Sequence, residues 1–114
     1  MIDVLLAHKI GIIGYKNHSS RIISILDEFS EFEISKIFHP TKKFSDKRGT
    51  NELKDLYSCD CVFILSPNQT HYEYIFDLLK NFHGHIFCEK PPVIESYELQ
   101  ELQKISLDDK KRIF

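Results

Sequence analysis

A short apolar run, Lys9-Ile10-Gly11-Ile12-Ile13, closes at Gly14 and is followed by Tyr15-Lys16-Asn17-His18-Ser19. A strand that ends in glycine ahead of a helix is where backbone can turn towards an anion. A dinucleotide fingerprint sets glycines at three positions there, which in this chain are 14, 16 and 19. Gly14 supplies the first, for the tight turn. Lys16 stands at the second, where bare backbone would approach a pyrophosphate. Its ammonium can reach a phosphate oxygen beside the helix N-terminus, in a charge-assisted bond of about 1.5–3 kcal/mol. Alternatively its Cβ and long chain fill the phosphate's space at a comparable cost, and the reading leans to weakened binding. Ser19, at the third position, is small enough for close helix–strand packing.

The next β-rich run, Phe32 to Phe38, ends at His39-Pro40. A carboxylate at this position would grip a ribose 2′-hydroxyl. His39 stands there instead, with Lys42, Lys43, Lys47 and Arg48 close behind. Those charges would suit a 2′-phosphate, but a charge run more often only solvates a loop, so NAD is expected ahead of NADP. Metal chemistry has less support. Cys59-Asp60-Cys61 offers two ligands with no second pair to close a tetrahedral site, and the six histidines are scattered. The cysteines read as small buried hydrophobes, and no metal site is expected.

Elements must position these groups. Ile22, Ile25, Leu26 and Phe29 fall on one helical face after Asn17, a plausible N-cap. Cys61 to Leu65 is apolar on both faces, as a strand of a parallel sheet covered by helices must be. A short helix is expected over 51–57, capped by Thr50. A longer one after Asn68 carries the stripe Tyr72, Ile75, Phe76, Leu79 and Phe82, with Gly84 as its C-terminal glycine. His85 to Cys88 is a further strand, and Leu99, Leu102 and Ile105 face the core from a last helix. Strands alternating with helices predict a three-layer α/β, Rossmann-like fold with a mainly parallel sheet. Ligands sit at the carboxyl ends of such strands. That points to Gly14–Ser20, His39–Lys43, Ser66–His71 and Glu89–Pro92.

The chain's 114 residues, 42% of them hydrophobic, suffice for one domain over 1–114 and not for two. A net charge of −2 gives no electrostatic case for nucleic-acid or membrane-surface binding. No apolar run approaches the ~20 residues of a membrane span. Met1 to Ala7 is too short and lacks the charged start of a signal peptide, so the cytoplasm is the expected setting.

Two motifs in order are more specific. Ser66-Pro67-Asn68-Gln69-Thr70-His71 ends one strand, and Glu89-Lys90-Pro91 ends the next. With the glycine turn before them, they make the chain, from Lys9 to Ile105, resemble the nucleotide-binding half of the Gfo/Idh/MocA oxidoreductases, the glucose–fructose oxidoreductase and inositol dehydrogenase group. The resemblance implies a dinucleotide cofactor, NAD or NADP, bordered at its pyrophosphate by Gly14, Lys16 and Asn17 and at one ribose by His39. It implies that Ser66, Pro67, Asn68 and His71 lie along the cofactor. Glu89 and Lys90 would stand near the nicotinamide, with Lys90 as the catalytic cation or acid–base group for a sugar, cyclitol or sugar-nucleotide hydroxyl.

The group continues into a substrate domain, and this chain stops at Arg112-Ile113-Phe114, where the crossover into that domain would begin. Activity from the chain alone is therefore not expected. The chain is then an excised piece of a longer protein or a truncated product, and a further reading is assembly with a partner polypeptide carrying the missing domain, or a homo-oligomer. The alternative is a non-catalytic interaction module that keeps the fold and has lost its cofactor.

Overall fold

The computed structural model describes residues 8–114, leaving the side chains of Asn17 and His18 and all of Met1–Ala7 outside the described set. Short runs rich in β-branched and aromatic residues build β1 (His8–Ile13), β2 (Phe32–Phe38), β4 (Cys61–Ile64) and β5 (His85–Cys88), and β3 is the two-residue strand Gly49–Thr50. The helices are α1 (Asn17–Leu26), α2 (His71–Asn81), α3 (Ser96–Gln103) and α4 (Leu107–Lys110), with 3-10 turns at Leu53–Leu56 and Asn68–Thr70. The strands pair in parallel in the order β3-β2-β1-β4-β5.

The chain's last residues extend this sheet. Ile113 bridges Ile86 in parallel. The Ile86 N–H donates to the Arg112 carbonyl at 2.7 Å, and the Phe114 N–H to the Ile86 carbonyl at 2.7 Å. Arg112-Ile113-Phe114, expected to start a crossover, is thus a further row beside β5. The resulting order is that of a doubly wound fold whose strand sequence reverses between β1 and β4.

Each sheet face has its own core. On one, Val62, Ile64 and Ile86 meet Ile75 and Leu78 of α2, with Leu56 and Phe82. On the other, Ile10, Ile12, Ile34 and Ile37 meet Ile23 of α1. α1 buries a face rotated from the one expected, whereas α2 keeps Ile75 and Phe82 of its expected stripe buried, with Phe76 and Leu79 packed against the same core. In α1 the buried positions are Ser19 and Ile23, while Ile25 is 49% exposed and Phe29, beyond the helix, 47%. In α2 they are His71, Ile75 and Leu78. Leu99 of α3 is exposed, and Leu102 alone of its expected trio packs on the core.

Candidate functional site

The reversal between β1 and β4 leaves a crevice at their carboxyl ends, and Gly14 forms its floor. Gly14 has φ 110°, the one positive φ among the described residues. Its N–H donates to the Phe38 carbonyl at 2.8 Å, while the Leu65 N–H donates to the Ile13 carbonyl at 2.8 Å. A Cβ at Gly14 would lie 3.0 Å from backbone atoms of Leu65 and Ser66, so β1 and β4 run on into touching loops. Lys16, not Asn17, is the N-cap of α1 and is extended, and Asn17 is the first helical residue. Lysine has no acceptor to cap with, and buried Ser19 reaches back in its place. The Ser19 hydroxyl accepts from the Lys16 N–H at 2.7 Å and donates to the Lys16 carbonyl at 3.0 Å.

A cavity of about 330 Å³ opens here, and Gly14, Lys16, His39, Ser66, Pro67 and Glu89 all line it. Those are six of the ten residues predicted for the site. Asn68 and Lys90 are exposed beside it, His71 is buried behind it, and the side chain of Asn17 lies outside the described set. Tyr15 and Thr70, inside the segments that the strand ends pointed to, also line it, as does Tyr74, which sequence reasoning missed. Tyr74 stands one helical turn after His71 on α2, a spacing that would have pointed to the same end of the helix. Burial raises its phenol above the ordinary range.

At the β2 end, the His39 Nδ1 accepts backbone N–H bonds from Thr41 at 3.2 Å and Lys42 at 3.0 Å. An Nδ1 that accepts leaves the ring proton on Nε2, so His39 presents a donor where a carboxylate would present an acceptor. Asn51 fixes the same loop by donating to the carbonyls of His39 at 2.7 Å and Lys42 at 2.9 Å. The Lys42 ammonium lies 5.3 Å from the centre of the Tyr15 ring, within cation–π range.

At the β4 and β5 ends, Thr70 closes the turn after β4. Its hydroxyl donates to the Pro67 carbonyl at 2.6 Å and shares a 2.7 Å bond with the Ser66 hydroxyl. His71 Nε2 lies 3.0 Å from the Ser66 carbonyl and Nδ1 2.7 Å from the Pro91 carbonyl. Cys88, just before Glu89, is no nucleophile at neutral pH, since burial pushes its thiol up to about 12.

Residues 8–114 match the model of an oxidoreductase family with an NAD-binding Rossmann fold. No curated protein matches the chain. Among solved structures, yvaA of Bacillus subtilis is 25% identical with a TM-score of 0.73, over 96% of this chain and 34% of that one. A myo-inositol 2-dehydrogenase from Lactobacillus plantarum is 18% identical with a TM-score of 0.72, over 94% of this chain and 34% of that one. The WlbA dehydrogenase of Bordetella pertussis, solved with NADH and UDP-GlcNAcA, is 13% identical with a TM-score of 0.75, over 95% of this chain and 36% of that one. The chain thus spans about a third of the structures it matches.

Proposed function

The chain belongs to the Gfo/Idh/MocA oxidoreductase family, as its NAD-binding Rossmann domain, and from that premise we propose that the cavity between β1 and β4 holds the central part of a nicotinamide dinucleotide. The observation that carries the reading is Gly14: its positive φ turns the chain into α1 at the cavity wall. A volume of about 330 Å³ falls at the lower end of small-ligand pockets, roughly 300–1,000 Å³. That suits a cofactor whose ends run out along the strand termini.

Gly14, Lys16 and Asn17 border the pyrophosphate, and exposed Lys16 reaches it as a cation beside the N-terminus of α1. His39 takes the adenosine ribose. Its Nε2–H can donate to a 2′-hydroxyl or to a 2′-phosphate, so discrimination between NAD and NADP is weak, with NAD kept ahead. Ser66, Pro67 and Asn68 lie along the cofactor, and Glu89 and Lys90 close the nicotinamide end. When bound, the nicotinamide supplies hydride acceptance and donation. Lys90 as the neutral amine would take the hydroxyl proton as hydride leaves, and the ammonium so formed would return it to the alkoxide in the reverse direction.

The substrate class is a sugar, cyclitol or sugar-nucleotide hydroxyl, the kind named for the inositol dehydrogenase and WlbA neighbours. The chain spans about a third of those proteins, and turnover of that substrate would also need residues of a substrate domain.

Thermal unfolding with NADH and with NADPH tests this. A ligand at 100 times its dissociation constant adds about 2.7 kcal/mol, a shift of several degrees for a domain this size. NADH should raise the midpoint, and NADPH should do so to a similar or lesser extent. No shift with either at millimolar concentration would overturn the reading in favour of a module that has lost its cofactor.

A further inference from the structure

The β4–β5 ladder holds its two strands in register as far as Ile64 and Cys88. The last backbone link between them is a long one, from the Glu89 N–H to the Ile64 carbonyl at 3.4 Å. Beyond that point lie Ser66 and Pro67 on one side and Glu89 and Lys90 on the other. These are the segments that wall the cavity and carry the lysine, and no regular pairing sets their separation.

His71 is placed where the ladder stops. It is fully buried at the first position of α2. Its two ring nitrogens reach in two directions, to the Ser66 carbonyl at 3.0 Å and to the Pro91 carbonyl at 2.7 Å. Both partners are backbone acceptors, and they belong to the two loops that the ladder leaves unjoined. A neutral imidazole donates one of these bonds and a protonated one donates both. The Thr70 hydroxyl holds the Pro67 carbonyl on the near side, so the Ser66–Thr70 turn is a closed unit. His71 therefore links the Lys90–Pro91 turn to a turn closed by its own hydrogen bond.

We propose that His71 is a positioning residue that spans the carboxyl ends of β4 and β5 and sets the distance of Glu89 and Lys90 from the cavity wall, acting through two backbone carbonyls instead of touching the cofactor. The consequence for binding rests on the cavity being the cofactor site, whereas the bracing itself does not. A displacement of Lys90 by about 1 Å is the scale at which reacting groups lose on the order of a hundredfold in rate, so a brace at this place matters more than its own stability contribution.

The test compares the wild-type chain with His71→Phe, His71→Gln and Leu78→Ala. Phenylalanine fills the space without donors, whereas the glutamine amide carries two N–H groups and can serve both carbonyls. Leu78→Ala weakens the same helix elsewhere in the core. Should His71→Phe fail to fold, His71→Asn, whose short side chain cannot span both carbonyls, takes its place.

Amide hydrogen exchange of residues 66–70 and 89–92 reads the brace without any cofactor. We expect faster exchange in both segments of the Phe variant beyond the rise elsewhere in the chain, recovery in the Gln variant, and no such local pattern in Leu78→Ala. In NADH titrations the Phe variant should bind about tenfold more weakly, the effect of losing one well-made hydrogen bond, with Gln within a few-fold of wild type. Uniform exchange across the Phe variant, or loosening of one segment without the other, would overturn the brace. Unchanged NADH affinity in a locally loosened variant would overturn its role in positioning. Absence of NADH and NADPH binding by the wild-type chain would instead remove the cofactor reading, and the exchange result would still decide the brace.

Discussion

A side chain at position 14 would have to adopt φ 110° and set its Cβ 3.0 Å from backbone atoms of Leu65 and Ser66. Backbone cannot yield as a flexible side chain does, so both the conformational and the steric cost are met in full. Gly14→Ala should therefore lose about 2 kcal/mol of stability, as a residue held in a sparsely populated region does, and urea unfolding would measure it. It should also lose the stabilisation by NADH, because the same turn shapes the cavity wall. A variant as stable as wild type would show that the turn relaxes freely and that its shape is not enforced by glycine. Gly14 was legible in the sequence because only one residue type answers such a demand. His71 was not: the histidine of Pro-Asn-x-x-His fits a cofactor contact and a buried brace equally well, and only the placement of the Ser66 and Pro91 carbonyls separates them. His39 was legible as a missing carboxylate, but its tautomer follows from the N–H groups of Thr41 and Lys42, which no spacing rule supplies.

The long elements were legible and their faces less so. Apolar residues sit on both sides of α1, so the period alone could not choose Ile23 over Ile25, and contact with Ile10 and Ile12 of β1 chose. Gly84 was expected to end α2, yet α2 ends at Asn81 and Phe82 caps it in an extended conformation. Gly84 is required instead because a Cβ there would collide with the Asp60 carbonyl. Thr50 was expected to cap a helix over 51–57. It belongs to β3, and its hydroxyl accepts from the Glu52 N–H at 3.0 Å ahead of a short 3-10 turn. A two-residue strand has no period to read. What holds β3 is the segment before it, where Arg48 donates to Asp46 at 2.8 Å and to Asp27, just past α1, at 2.9 Å. The Arg48 guanidinium lowers the Asp46 carboxyl from 3.8 to about 2. A carboxylate held lower in the folded chain than in the unfolded one stabilises above its unfolded value and loses that contribution as pH falls through its folded value. Asp46→Asn should thus cost on the order of 1 kcal/mol at pH 5, a figure reduced by solvent screening of a partly exposed pair. The gap to wild type should close between about pH 4 and pH 2. Urea midpoints of the two chains across that range would check it, and a gap that persists at pH 2 would assign the loss to something other than the ion pair.

The topology decides which parts of the sheet this chain can cover by itself. Right-handed crossovers place the helix that leaves β1 for β2 on one face, and those that run from β4 outward on the other. Accordingly α1 packs on β1 and β2, α2 packs on the opposite face, and the α1 side of β4 and β5 receives little helix. That uncovered half carries a row of rings. Phe63 stacks on Phe87 at 4.8 Å and Phe87 on Phe114 at 5.1 Å, and Phe114 is 60% exposed. Neighbours along one strand therefore sit in unlike surroundings, with Ile86 fully buried and Phe87 half-buried. Ile86→Ala should cost about 2–5 kcal/mol, the range for a buried isoleucine. Phe87→Ala should cost about 1–2 kcal/mol, below the roughly 3–5 of a buried phenylalanine, because Phe87 is only partly buried. Urea unfolding of both variants at two protein concentrations would check the order. A Phe87 cost equal to that of Ile86, with a midpoint that rises with concentration, would show the row covered by a second copy of the chain. A smaller cost with a concentration-independent midpoint would show the row open to solvent in the single chain.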